Sequence, residues 1–264
     1  MKKGICKICE LETDLSFEHV PANSAFYSAT YILKYQFDVA TREWKATGKY
    51  PYGIGEYTLC QKCNNETGGP YGQAFCDFIN HIANETSSLT EYRKPITIKY
   101  KGFLHRIIKQ ILVMFCSTNA DGFTSKNNLK DYLLTLDSQD SNQEIRIYIC
   151  LINRLSNFSS GIQGILKLHA QKTIIASEIL FWPVGYIMSY EELNQNDIEG
   201  AYLTEITHWK DIDPNKRSET EITLYKNFRL TMFPLDYRSQ SEIEAISGKP
   251  IGPPGAFPFI DYEL

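Results

Sequence analysis

The chain has 264 residues, long enough to bury a sizeable core as one large domain or two ordinary ones. Its 43% hydrophobic, 22% charged and 13% aromatic residues are those of a globular protein and exclude a disordered one. The formal net charge of -4 gives no overall sign of a nucleic-acid binder, but residues 1–120 carry a net +3 and the remainder a net -7.

No apolar run approaches the roughly 18 residues that a membrane helix needs. The N-terminus, Met1 to Cys6, has charge without the apolar stretch of a signal peptide. The expectation is a cytoplasmic protein with no membrane partner. Along the chain, the aromatic segment after Pro21 contains one strand from Tyr31 to Val39 and a turn and return strand from Thr41 to Lys49. Tyr50 to Gly55 reads as loop, and Glu56 to Leu59 leads extended into Cys60. A helix starting at Cys60 is expected to break at Gly68-Gly69-Pro70. A second one runs from Tyr71 to Asn84, with Phe75, Phe78, Ile79 and Ile82 at helical spacing. Residues 86–95 mark a boundary, which divides the chain into 1–90 and 91–264.

Beyond that boundary, Gly102 to Cys116 is a strongly periodic helix and Asn128 to Leu136 a shorter one. Glu144 to Leu151 alternates as a strand does, with Ile145, Ile147 and Ile149 on one side. Further strands are expected at Ile165–His169, Thr173–Phe181, Val184–Ser189, Tyr202–Trp209 and Glu221–Phe228, and the tail from Gly248 reads as loop. The fold class is therefore α+β, with a mainly antiparallel sheet in the C-terminal part. Between Arg93 and Lys109 stand Arg93, Lys94, Lys99, Lys101, Arg106 and Lys109 with no acid among them. They form either a phosphate-binding face or an ordinary solvated one.

Four of the seven cysteines form two C-x2-C pairs, Cys6/Cys9 and Cys60/Cys63, about fifty residues apart. Two such knuckles supply the four corners of a tetrahedral zinc site, and four thiolates leave that metal no open position for catalysis. The expected zinc is therefore structural, and it brings Glu18 and His19 towards Asn64 and Asn65. Cys76, Cys116 and Cys150 stand alone in apolar stretches and read as buried small hydrophobes. No phosphate-binding glycine loop, dinucleotide fingerprint or nucleophile elbow is present.

The ordered set Cys6-Lys7-Ile8-Cys9, Glu18-His19-Val20-Pro21 and Leu59-Cys60-Gln61-Lys62-Cys63-Asn64 resembles zinc-containing HNH endonucleases of the ββα-metal, or His-Me finger, superfamily. The resemblance covers about the first 65 residues. It implies a ββα-metal finger stapled by the zinc and a phosphodiester hydrolase acting on DNA. It further implies His19 as general base, and Glu18 and Asn64, with Asn65 in reserve, as ligands of a catalytic Mg²⁺ or Mn²⁺. Cutting both strands would take a homodimer or two encounters, and by analogy the role would lie in bacterial restriction or anti-phage defence. The chain has Glu18 where such enzymes usually carry Asp, Thr67 where Lys is common, and a long insertion over Tyr31–Tyr57. An inactive zinc-stapled DNA- or protein-binding module, or a structure-selective nuclease or ribonuclease, fits the same motif. Among the other histidines, His81 reads as packing and His105 as part of a solvated face, and His169 and His208 have no assigned role.

Overall fold

The computed structural model describes residues 2–20, 31–38, 43–51, 55–87, 95–139, 144–152, 157–167, 172–193 and 202–227. The expected tail from Gly248, together with His169, Arg93 and Lys94, lies outside the described residues. The fold is α+β and mainly antiparallel, as expected. Near the N-terminus, β1 (Lys2–Ile5), β2 (Glu12–His19) and β5 (Gly55–Cys60) form an antiparallel sheet in the order β1-β2-β5. Between β2 and β5 the chain inserts a hairpin of β3 (Tyr31–Asp38) and β4 (Glu43–Pro51), which pairs Phe37 with Trp44. These two strands match the expected aromatic insertion.

From Cys60 the chain passes directly into α1 (Gln61–Ser87), which is one continuous helix with Pro70 inside it. The predicted break at Gly68-Gly69-Pro70 does not occur. Proline removes one helical hydrogen bond, the one that would end on the carbonyl of residue 66, and costs about 3 kcal/mol in a helix interior. Glu66 is exposed, so water can serve its carbonyl. Against that cost, Cys63, Tyr71, Phe75, Phe78, Ile79 and Ile82 are buried along one face of α1. Each large apolar side chain contributes roughly 1.5–3 kcal/mol, so packing outweighs the local preference.

The rest of the chain begins with β6 (Ile96–Gly102), α2 (Leu104–Thr118), α3 (Phe123–Lys126) and α4 (Lys130–Leu134). There follow β7 (Arg146–Ile152), β8 (Asn157–Lys167), β9 (Lys172–Phe181), β10 (Val184–Ser189), β11 (Thr204–Glu205), β12 (Ser218–Leu224) and β13 (Lys226–Asn227). The larger sheet has the order β11-β7-β10-β9-β8, with β13 added parallel to β7, while β6 pairs with β12. The predicted strand Tyr202–Trp209 is instead a two-residue strand followed by a 3₁₀ turn over Thr207–Asp211. Thr207 stops the pairing, because its hydroxyl accepts the Ile147 N–H at 2.9 Å in place of a strand carbonyl. Ile206 and Trp209 then fall three residues apart on one buried face, the period of a 3₁₀ turn.

A single apolar core runs from Cys6 and Ile8 through α1 and α2 to β7, β10 and Leu224, so residues on both sides of position 90 contribute to it. Phe78 of α1 meets Tyr100 of β6 and Trp209 edge-on, at 5.1 and 5.5 Å between ring centres. Strand β7 sends Ile147, Ile149 and Leu151 into this core, and Tyr148, Cys150 and Ile152 into a second one on the opposite face. Cys76, Cys116 and Cys150 are all buried, as their apolar surroundings suggested.

Among the described residues 95–109, the basic side chains do not form one stripe. Lys99 and Lys101 lie exposed on β6 and pair with Glu221 and Glu219 of β12 at 2.9 and 2.8 Å. Arg106 donates to the Pro214 carbonyl at 3.0 Å and stacks over the Phe103 ring. Lys109 is fully buried, so it cannot contact phosphate from the surface. Its ammonium donates to the Thr135 and Leu136 carbonyls at 2.7 and 3.0 Å and faces the Tyr132 ring at 4.5 Å. It therefore closes the C-terminal end of α4, where unsatisfied carbonyls favour a cation. Lys109→Met keeps the stem but leaves the Leu136 carbonyl without its ammonium donor and the Thr135 carbonyl with only the Ser138 N–H, and is expected to lower unfolding stability by about 2 kcal/mol. A urea titration showing a loss below about 0.5 kcal/mol would refute this capping role.

Candidate metal centre

The first knuckle forms because the chain turns sharply between β1 and β2. The Cys6 carbonyl accepts the Glu10 N–H at 2.8 Å, Cys6 N–H donates to Leu11 O at 3.0 Å, and Glu10 takes a left-handed φ of 59°. The second knuckle spans the end of β5 and the first turn of α1, which carry Cys60 and Cys63. Lys7 N–H donates to Thr58 O at 2.8 Å and binds one knuckle to the strand of the other. The four sulfur atoms all lie within 4.8 Å of one another, with Cys9 Sγ and Cys60 Sγ 3.9 Å apart. A tetrahedral zinc with arms of about 2.3 Å needs sulfur–sulfur edges of about 3.8 Å, so the donor set fits such an ion.

Backbone N–H groups support the sulfurs as well: Cys60 N–H points to Cys6 Sγ at 3.3 Å and Cys63 N–H to Cys60 Sγ at 3.4 Å. The Cys63 thiol beside it and the backbone N–H groups of Cys60, Cys9 and Ile8 hold the Cys6 sulfur down at about 4, in its thiolate form. The same pairing, together with burial, pushes the Cys63 thiol up. Among the described residues, these four cysteines are the one group of three or more His, Cys, Asp or Glu close enough to hold an ion. They can bind a metal such as zinc.

The expected catalytic residues lie on the elements that adjoin the cysteine pairs, β2 and α1. Strand β2 ends on Glu18 and His19, which pair in register with Glu56 and Gly55 of β5. The role expected of the His19 side chain lies outside the described residues. Glu18 is buried, and its Oε2 accepts hydrogen bonds from Thr58 Oγ1 at 2.9 Å and from Ser117 Oγ of α2 at 3.0 Å. Asn64, in the first turn of α1, donates through Nδ2 to Ser16 Oγ at 3.1 Å, so it touches β2 two residues before Glu18. Its neighbour Asn65 faces outward and accepts from Gln61 at 2.8 Å.

The other described histidines are engaged elsewhere in the fold. His81 Nε2 meets the Lys99 carbonyl at 2.9 Å, which agrees with a packing role. His105 is buried, not solvated: its Nε2 meets Ser138 O at 3.2 Å, and burial beside Lys109 holds it down to about 4. His208 lies in the 3₁₀ turn against Trp209. Three site residues escape a reading of the sequence. Ser16 and Thr58 flank the motifs but carry no signal of their own, and Ser117 is separated from Glu18 by 99 positions.

Burial raises the Glu18 carboxyl to about 7, against the lowering effect of the Thr58 and Ser117 hydroxyls. The folded protein thus holds this proton more tightly than the unfolded chain does. Wild-type stability is therefore full below the unfolded value near 4.5 and declines as pH rises to about 7. Glu18→Gln keeps an acceptor without the charge. It is expected to exceed wild type by up to about 3 kcal/mol at pH 8, at roughly 1.4 kcal/mol per pH unit. The gap should narrow as pH falls towards 5, and denaturant unfolding with no added Mg²⁺ measures it. A gap independent of pH would refute the assignment.

No protein-family model, no curated protein and no solved structure matches this chain.

Proposed function

We propose that the chain is a metal-dependent HNH-type endonuclease that hydrolyses phosphodiester bonds of DNA, with one zinc held by Cys6, Cys9, Cys60 and Cys63 as its staple. The observation that carries this reading is the Asn64–Ser16 hydrogen bond at 3.1 Å. It joins the helix that follows the second knuckle to the strand that ends on Glu18-His19, which is the juxtaposition the motif implies. The succession β2, β5, α1 around the four cysteines supports a ββα finger interrupted by the β3–β4 hairpin.

In this reading His19 takes the proton from the attacking water. A Mg²⁺ or Mn²⁺ ion supplies charge neutralisation at the phosphate when bound. Carboxylate and amide oxygens suit such an ion, and Glu18 and Asn64 offer one of each. Because Asn64 Nδ2 is engaged by Ser16, its Oδ1 is the atom left to serve as ligand. The raised carboxyl of Glu18 is the kind of perturbed group that collects at functional sites. A role in restriction or anti-phage defence is the biological setting we attach to this activity.

Plasmid nicking by zinc-loaded protein with Mg²⁺ or Mn²⁺ tests the proposal. Conversion of supercoiled to open-circular DNA by wild type, lost on His19→Ala, is the expected result. Absence of cleavage across a broad divalent-metal screen would leave an inactive zinc-stapled binding module as the better reading. Cleavage of RNA or branched DNA in preference to duplex would point instead to a ribonuclease or structure-selective enzyme.

A further inference from the structure

We propose that Ser117 is a positioning residue of this site: from the last turn of α2 it holds the Glu18 carboxylate, together with Thr58, by one oxygen and leaves the other to a divalent ion. The inference rests on the nuclease reading above and adds a part to it from beyond residue 90. The geometry is a triangle of oxygens. Thr58 Oγ1 and Ser117 Oγ lie 2.9 and 3.0 Å from Glu18 Oε2, and 3.2 Å from each other. Each hydroxyl has one proton. With both protons directed at the carboxylate, the contact between the hydroxyls carries none, so both bonds converge on Oε2. Among the described residues none goes to Oε1, which is the oxygen left for an ion.

A buried carboxylate on the penultimate residue of a strand would otherwise sample several rotamers. Two converging donors remove that freedom, and Ser117 and Thr58 are both buried and held by the core. The end of α2 is itself fixed to the first knuckle. Lys7 Nζ donates to Asn119 O at 2.9 Å and pairs with Asp121 at 2.7 Å, while Ser125 N–H donates to Glu10 Oε1 at 3.0 Å. Asn119 extends the frame to the larger sheet by accepting the Ile162 N–H at 2.6 Å. The surroundings of Glu18 thus draw on residues from both sides of position 90.

Such outer partners of metal ligands typically contribute about 10- to 100-fold in metal affinity. Mn²⁺ binding to the zinc-loaded full chain, followed by electron paramagnetic resonance, reads this directly and without catalysis. Ser117→Ala is expected to weaken Mn²⁺ binding about 10-fold or more, with zinc content unchanged. Ser117→Thr, which keeps the hydroxyl, is expected to restore it. Thr58→Val, which keeps the shape and loses the hydroxyl, should show the same weakening and serves if Ser117→Ala fails to load zinc. Wild type that binds no Mn²⁺ would overturn the nuclease reading itself. Wild type that binds Mn²⁺, with both hydroxyl-free variants matching it, would overturn the positioning role alone.

Discussion

Cys63→Ser is expected to abolish zinc loading and to destabilise the fold by several kcal/mol. Wild type should carry one zinc per chain by elemental analysis. Cys63 is 1% exposed and lies in the apolar core with Cys6 and Cys60, while Cys9 is half-buried against it. A serine there leaves three ligands and a buried hydroxyl with no metal to serve. Structural zinc contributes roughly 10–16 kcal/mol of binding free energy in small zinc-folded peptides, and that binding energy is folding energy. The present chain has a large core of its own, so only part of this should appear as lost stability. A loss of about 5 kcal/mol would lower the thermal midpoint by roughly 10–20 °C for a chain of this size. Cys76→Ser gives the contrast: Cys76 is also buried but stands outside the cluster, so the zinc content of this variant should match wild type. Fewer than about half a zinc per wild-type chain, or full loading of Cys63→Ser, would refute a four-cysteine site.

His19→Ala is expected to reduce nicking by about 10²- to 10⁴-fold, the usual contribution of a general base. That corresponds to roughly 3–5 kcal/mol on the barrier. Zinc content should stay at the wild-type value, because the four cysteines alone supply the zinc ligands. His81→Ala is the control: the ring is engaged with Lys99 O, and its loss should leave nicking within a few-fold of wild type. Equal activity in His19→Ala would remove the base from the proposed mechanism even if wild type cuts DNA.

The elements legible in the sequence are those whose signal is local. The helix α2 announced itself through Leu104, Ile107, Ile108, Ile111, Leu112 and Phe115, all of which are buried. Strand β7 did so through the alternation of Ile145, Ile147 and Ile149, all of which are buried. The cysteine pairs were legible for the same reason, since a knuckle needs two thiols three positions apart and nothing else. Pro70 misled because a helix breaker is a local preference of about 3 kcal/mol, smaller than the packing of the face that crosses it. The run from Arg93 to Lys109 misled because charge along the chain says nothing about which side chains point inward: Lys109 is buried and Lys99 is not.

The sequence by itself determined that four thiols of metal-binding spacing and an acid–histidine pair stand in one order near the N-terminus. Bonding geometry at a knuckle is set within a few residues, so this much needs no tertiary structure. Only the tertiary structure decided where Glu18 faces, that Asn64 reaches back to Ser16, and that Ser117 completes the surroundings of the carboxylate from 99 positions away. Those contacts follow from how α1 packs against the β1-β2-β5 sheet and α2 against α1 within one shared core. Packing is a property of the assembled surfaces, and no short stretch of residues encodes it.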